Sequence, residues 1–251
     1  MSNIILTLTD VEVAFDALKA VNGVTIAVPK GERRAIIGPN GAGKTTLFNA
    51  ITGVIPPTAG RIAFDGHNIT RLPPHKRARL GISRTFQITN LFPTLTVADN
   101  MILALRGLSP RKFSLFGSPD AAAEETRRID AALGASRMHQ RASVPVKELS
   151  YGEQRQLEIA LALVTEPRLL LLDEPAAGLS PAERSIVAEI IRSLGRELTV
   201  ILIEHDMDLA LGLVDFVTCL HEGQVLVEEP PSEIRNDQRV QEVYLGKPHH
   251  A

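Results

Sequence analysis

The run Gly38-Pro-Asn-Gly-Ala-Gly-Lys-Thr45 has the residue types and spacing of a loop that wraps phosphate. Gly41 and Gly43 let the backbone turn its N–H groups inward without a side-chain clash. Those amides, with those of Asn40 and Ala42 and the helix start near Gly43, form a nest for an anion. Gly38 opens the loop and Thr46 follows it. Lys44 supplies a point charge to the outer phosphates, and the Thr45 hydroxyl is a ligand for Mg²⁺. Downstream, Leu169-Leu-Leu-Leu-Asp173-Glu174 places two acids at the end of an apolar run. At the C-terminal end of a buried strand such acids face the ligand crevice. Asp173 would hold Mg²⁺, directly or through water, and Glu174 would take or orient the proton of an attacking water. His205 follows a second apolar run, Thr199 to Ile203, where an imidazole can bond a terminal phosphate. His67, His75, His139 and His221 have no such context and read as surface, and His249 and His250 lie in the tail. No Cys/His arrangement has zinc-ligand spacing.

These groups need an α/β frame. Ile4 to Leu8 and Val11 to Phe15 alternate as strands, followed by a strand at Val24 to Val28 and another at Arg33 to Ile37. Lys44 to Thr52 reads as a helix and Arg61 to Phe64 as a strand. The middle third changes texture. Leu95 to Leu105 and Asp120 to Leu133 have helical patterns, with a loop-like excursion from Gly107 to Pro119 between them. Ser150 to Val164 is a helix opened by a capping box of Ser150 and Glu153. Ser180-Pro181-Ala-Glu183 opens another in the same way, with Pro at the first helical position. Leu169 to Leu172 and Thr199 to Ile203 are continuous apolar runs, as parallel strands buried on both faces must be. Val214 to Leu220 and Gln224 to Val227 form a hairpin over Glu222-Gly223, and a short helix spans Val240 to Leu245.

Composition narrows the class. The chain has 251 residues, 44% hydrophobic and 22% charged, which suits a globular α/β domain. Its formal net charge of -2 shows no basic excess that would point to nucleic acid. One cysteine, Cys219, excludes an internal disulfide. No run reaches the roughly 20 apolar residues of a membrane-spanning helix, and the N-terminus lacks a signal-peptide pattern. Any membrane role must come through a partner.

Leu149-Ser150-Tyr-Gly152-Glu-Gln-Arg-Gln-Leu-Glu-Ile-Ala160 resembles the signature motif of ABC-type ATPases. The order of phosphate loop, Gln87, Ser150 segment, Asp173-Glu174, Gly178-Leu-Ser-Pro181 and His205 matches that family along nearly the whole chain. The resemblance implies one ABC ATPase domain over 1–251. Its α/β phosphate-loop core would carry a mixed sheet and an N-terminal antiparallel β subdomain in 1–87 and 166–251. An α-helical lobe would be inserted at 88–165. It implies ATP and Mg²⁺ as the bound species. Gln87 is similar to a glutamine that touches Mg²⁺ and water and senses the transmembrane partner. Phe15 is similar to an aromatic that stacks on adenine, although the residues alone also allow a strand-core role. Ser150 and Gly152 would bind the ATP of an opposing subunit, and Gly178 to Pro181 would cross between subunits.

Two motifs depart from the family pattern, the signature and the crossing loop. Tyr151 stands where Gly is common, Glu153 where Gln is common, and Ser180-Pro181 where the crossing loop often has Asp. Arg84-Thr-Phe-Gln87, Pro175-Ala-Ala-Gly-Leu, Ile203-Glu-His-Asp-Met207 and Ile234-Arg-Asn followed by Tyr244-Leu-Gly resemble the ATP-binding subunits of branched-chain amino acid importers. That resemblance implies two transmembrane permeases, a second similar ATPase chain and, indirectly, an extracytoplasmic solute-binding protein. It places the chain peripherally on the cytoplasmic face of the cell membrane. Urea or amide importers, a lipopolysaccharide-type exporter, a soluble ABC ATPase and a small-molecule kinase with the same loop remain alternatives. Against action on DNA or ribosomes stand the lack of a coiled-coil insertion, a second cassette or a basic tail.

Overall fold

The computed structural model describes residues 3–85, 91–108 and 119–245. Its strands are β1 (Ile4–Phe15), β2 (Leu18–Pro29), β3 (Arg33–Ile37), β4 (Ala59–Phe64), β5 (His67–Asn68), β6 (Ile82–Arg84), β7 (Leu169–Asp173), β8 (Thr199–Ile203), β9 (Phe216–His221) and β10 (Gln224–Glu229). Its helices are α1 (Lys44–Thr52), α2 (Pro74–Arg79), α3 (Val97–Leu108), α4 (Pro119–Ala135), α5 (Tyr151–Leu163), α6 (Pro181–Ser193), α7 (Met207–Leu211), α8 (Pro231–Ile234) and α9 (Gln238–Leu245). Gln87 and residues 109–118 of the expected excursion lie outside the described residues.

Two sheets form the frame. One has the order β2-β1-β4-β5 and is antiparallel throughout. The other has the order β10-β9-β3-β8-β7-β6. Its five strands from β9 to β6 are parallel, and β10 pairs antiparallel at the edge. The two short strands expected before Phe15 are one strand, irregular where the register against β2 shifts between Leu8 and Val11. Asp10 sits there at φ 47°, and its N–H is taken by the Thr25 hydroxyl at 2.9 Å. This is a bulge, and it breaks the alternation that the sequence pattern shows as two strands.

The parallel strands sort their residues by parity, because successive side chains face opposite sides of a sheet. Ile36, Leu169, Leu171, Ile201 and Ile203 face one core with Leu47, Phe48, Ala50 and Ile51 of α1 and the inward residues of β1, β2 and β4. α1 is therefore packed between the two sheets, which fixes its N-terminus and the loop before it. Ala35, Ile37, Leu170, Leu172, Val200 and Leu202 face the second core, with Ile159 of α5, Val187, Ile190 and Ile191 of α6, and Val240 of α9. A third core, of Val97, Met101, Ile129, Leu133, Met138, Val146, Leu157 and Val164, joins α3, α4 and the outer side of α5. Among the described residues no helix is long and apolar enough to cross a membrane.

Both expected capping boxes are present. The Ser150 hydroxyl accepts from the Glu153 N–H at 3.2 Å while the Glu153 carboxylate accepts from the Ser150 N–H at 2.8 Å. Ser180 and Glu183 repeat the arrangement at α6, with Pro181 first in the helix.

Candidate functional site

β3 ends at Ile37, α1 begins at Lys44, and the loop between them lies where the parallel strands end. Two of its glycines are required by space as well as by backbone angle, while Gly41, at φ 80°, has open space around it and is required by angle alone. Gly43 has φ 97°, and a Cβ there would stand 2.2 Å from the Ala20 carbonyl oxygen. Gly38 has φ 145°, and a Cβ there would stand 2.2 Å from the Leu220 oxygen of β9. Any side chain at either place would push the loop off the sheet. Asn40, Gly41, Ala42, Gly43, Lys44, Thr45 and Thr46 line one cavity of about 450 Å³ together with Phe15, Leu18, Ala20, Glu174 and His205.

Phe15 is 48% exposed on this cavity, so it is a wall of the pocket rather than part of a strand core. Lys44 is almost fully buried. Its ammonium donates to the Gly38 and Pro39 carbonyls at 2.7 and 2.9 Å, which holds the charge across the loop. Burial pulls its pKa below the ordinary lysine value, and Glu174, Cys219 and Asp173 oppose that. The carboxylates belong to the same electrostatic unit as the lysine.

Glu174 follows β7 with φ 50°, a left-handed conformation that costs a non-glycine residue roughly 1–2 kcal/mol. Its N–H donates to the Ile203 carbonyl at 2.9 Å, which locks the turn. The outcome is that its carboxylate points back into the cavity and meets His205, with Nε2 to Oε1 at 2.7 Å. The acid and the histidine are therefore one hydrogen-bonded pair. Glu204 supports both of their loops. It is 4% exposed, accepts from the Ala176 N–H at 2.9 Å, and its pKa is raised by burial while hydrogen bonds from Ala176 and His205 oppose the rise.

Asp173 is the most enclosed of these acids, at 1% exposure. Arg84, at the end of β6, donates to its Oδ2 at 2.6 Å and to the Asn49 side chain of α1 at 2.6 Å. Among the described residues Oδ1 of Asp173 is buried without a hydrogen-bond partner. A buried carboxylate oxygen left open is the donor chemistry a hard divalent cation needs, and Thr45, exposed in the first turn of α1 and lining the cavity, carries a hydroxyl of the same kind. These residues fit Mg²⁺.

Ser150 and Gly152 do not join this cavity. They lie at the N-terminus of α5, against the turn before α6. The Gly152 N–H donates to Glu183 Oε1 at 3.2 Å, and the other oxygen of the same carboxylate accepts from the Ser180 N–H at 3.0 Å and its hydroxyl at 2.7 Å. These hydrogen bonds lower the Glu183 pKa, the Ser180 hydroxyl foremost. Tyr151 covers Gly178, where a Cβ would stand 3.2 Å from the ring. The chain thus carries two separate surfaces, a phosphate-loop cavity and a helix N-terminus joined to the Gly178–Pro181 turn.

Sequence reasoning missed Arg84, Glu183 and Glu204 as parts of these surfaces. Arg84 opens the Arg-Thr-Phe-Gln run, and Glu183 is visible as the capping-box acid. Neither signal tells which side chain across the fold the residue meets.

The family described as ABC transporter matches residues 21–177. A second family, described as branched-chain amino acid ATP-binding cassette transporter, matches residues 230–250. The high-affinity branched-chain amino acid transport ATP-binding protein BraF of Pseudomonas aeruginosa is 40% identical over 98% of this chain and 100% of its own length. Among solved structures, the ADP conformation of an ATP-binding cassette of an ABC transporter has a TM-score of 0.84 at 30% identity, covering 98% of this chain and 100% of that one. A dimeric post-hydrolysis cassette bound to ADP and Pi has a TM-score of 0.74 at 26% identity, covering 90% of this chain and 98% of that one.

Proposed function

The chain belongs to the ATP-binding family of ABC transporters, and from that premise we propose that it is the ATP-hydrolysing motor of a branched-chain amino acid importer. The observation that carries the cargo is the match of residues 230–250 to the branched-chain family, since this segment lies outside the generic cassette match. As an ABC ATPase the chain binds and hydrolyses ATP.

The adenine stacks on Phe15, the phosphates lie on Gly38 to Thr46, and Lys44 meets the outer phosphates. Thr45, Asp173 and Gln87 are the residues that would hold Mg²⁺, which when bound offsets phosphate charge and aligns the terminal group. Glu174 orients a water and takes its proton as the water oxygen attacks the terminal phosphorus. The bond from that phosphorus to the bridging oxygen breaks, and ADP and phosphate result. His205, bonded to Glu174 through Nε2, fixes the carboxylate, and as an imidazolium it donates its Nδ1–H to the terminal phosphate. Ser150 and Gly152 are too far round the fold to serve the cavity of their own chain. Two chains pair head to tail, and each ATP lies between Gly38–Thr46 of one and the counterpart of the Ser150 segment on the other. The second chain is a similar ATPase.

The helical lobe at 88–165, whose separate core supports treating it as a moving unit, carries closure to two transmembrane permeases by way of Gln87. The protein then sits peripherally on the cytoplasmic face of the membrane, and a solute-binding protein on the far side delivers the cargo. Co-purification of the tagged chain from membranes in mild detergent tests this. Two multi-span permeases and a second ATPase are expected, with loss of radiolabelled leucine, isoleucine and valine uptake when the gene is deleted. Recovery from the soluble fraction alone, or unchanged uptake, refutes the importer reading.

A further inference from the structure

Gly38 is where β3 leaves its sheet. The strand pairs with β8 up to Ile36 and with β9 up to Ile37, which lies opposite Cys219. Beyond it the ladder ends, yet Gly38 is still buried. A buried amide needs an acceptor. The Gly38 N–H donates to the hydroxyl of Tyr244, at 2.7 Å, across 206 positions of sequence. The carbonyl of the same glycine accepts from Lys44 Nζ at 2.7 Å. Tyr244, Gly38 and Lys44 thus form one hydrogen-bonded chain that runs from the last helix through the first residue of the phosphate loop to its cation.

The helix that presents Tyr244 is firmly seated. Asp237 caps α9 through the Val240 N–H at 3.3 Å and the Gln241 N–H at 3.1 Å. Arg239 pairs with Glu229 of β10 at 3.4 Å. Val240, four residues before Tyr244 and so on the same face, is 1% exposed in the second core. Tyr244 packs against that core too, so the ring has an ordinary packing reason to be there. The hydroxyl does not: a phenyl ring would fill the same space and leave the Gly38 amide without its acceptor.

We propose that Tyr244 is a positioning residue of the nucleotide site, whose hydroxyl fixes the first glycine of the phosphate loop and, through that glycine's carbonyl, the placement of Lys44. α9 is then a working part of the ATP site rather than a tail on the domain. Tyr244 is not among the residues lining the cavity, so it acts on phosphate affinity through the loop and not on the reacting atoms. The inference rests on the reading that Gly38 to Thr46 holds ATP.

Calorimetric titration of the full-length chain with MgATP and with MgADP tests it, alongside steady-state turnover. Tyr244→Phe should raise both Kd values and the KM roughly 5- to 30-fold, the loss expected of one hydrogen bond to a buried amide. Its kcat at saturation should stay within about twofold, because the acid and histidine are untouched. Val240→Ala loosens α9 but keeps the hydroxyl. It should lower Tm and leave the Kd values within about twofold. Nucleotide affinity of Tyr244→Phe equal to wild type overturns the proposal. So do equal losses of affinity in Tyr244→Phe and Val240→Ala, since α9 would then act by packing alone. Lys44→Ala tests the underlying reading separately: if it binds MgATP as tightly as wild type, the loop is not the phosphate site, whatever Tyr244→Phe does.

Discussion

Replacing Arg84 with Met should leave Asp173, the acid proposed to hold Mg²⁺, as an uncompensated buried charge. The guanidinium is 8% exposed and the Asp173 side chain 0%, with 2.6 Å between Nη2 and Oδ2. Charge centres about 4 Å apart at an effective dielectric of about 20 attract by roughly 4 kcal/mol. Removing one partner of such a buried pair typically costs about 3–5 kcal/mol, because the other is stranded. The Asn49 oxygen also loses its donor, while the Met side chain keeps most of the apolar contact with Phe48. A net loss of about 4 kcal/mol would lower Tm by roughly 8–16 °C in a chain of this size. The sharper assay is the double-mutant cycle with Asp173→Asn, read by urea unfolding. Removing both charges leaves nothing stranded, so the double variant should be more stable than Arg84→Met alone by about 2 kcal/mol or more. Saturating MgATP should also narrow the gap between Arg84→Met and wild type, since a cation at Asp173 restores compensation, whereas ATP with a chelator should not. Wild-type stability in Arg84→Met, or simple additivity in the cycle, refutes the reasoning.

Glu174→Gln should lower ATP turnover by roughly 10²–10⁴ while leaving MgATP affinity near wild type, and wild-type turnover in a preparation free of other ATPases would remove Glu174 from the proton step. Phe15→Ala should weaken ATP by roughly 1–3 kcal/mol through lost stacking while affinity for inorganic tripolyphosphate is unchanged, and a matching loss for tripolyphosphate would mean the ring shapes the loop instead. Burial pushes the Tyr244 hydroxyl from 10 up to about 12. A raised folded pKa means the fold favours the protonated form. That contribution is complete below pH 10 and is lost as pH climbs from 10 through about 12. The ultraviolet absorbance of tyrosinate should therefore show a late alkaline step that Tyr244→Phe abolishes, which is resolvable because the chain has only two tyrosines and no tryptophan. Persistence of that step in Tyr244→Phe would show that Tyr244 is not the late-titrating group.

Legibility followed the source of each element's stability. β3, α1 and β8 run over the spans the sequence predicts, since continuous apolar runs and a glycine loop leave few alternatives. α2 was invisible. Its sequence, Pro-His-Lys-Arg-Ala-Arg, has no apolar stripe, and its one buried residue is Arg77. That guanidinium donates to the Ala50 and Ile51 carbonyls at 2.6 and 2.7 Å, to Leu72 at 2.8 Å and to Thr70 at 3.0 Å. It closes the carbonyl end of α1, a role that hydrophobic periodicity cannot encode. Burial draws its pKa down to about 10. β6 is three residues long, too short for a period, and is placed by its partner β7.

The candidate site divides along the same line. Asn40 to Thr45 and Glu174, expected from local spacing to share a site, line one cavity, because their placement is set by the loop that carries them. Residues that act across the fold could not be read from spacing. Arg84 reaches Asp173 over 89 positions and Tyr244 reaches Gly38 over 206. Both attach to the candidate site from behind, one at Asp173 and one at the loop's first residue, and both sit on segments that lead elsewhere. Arg84 ends the strand that leads to Gln87 and the helical lobe, and Tyr244 lies in the segment matched to the branched-chain family. An ATP site held from two such directions can be sensitive to displacement of either segment without any change in the residues that touch the nucleotide.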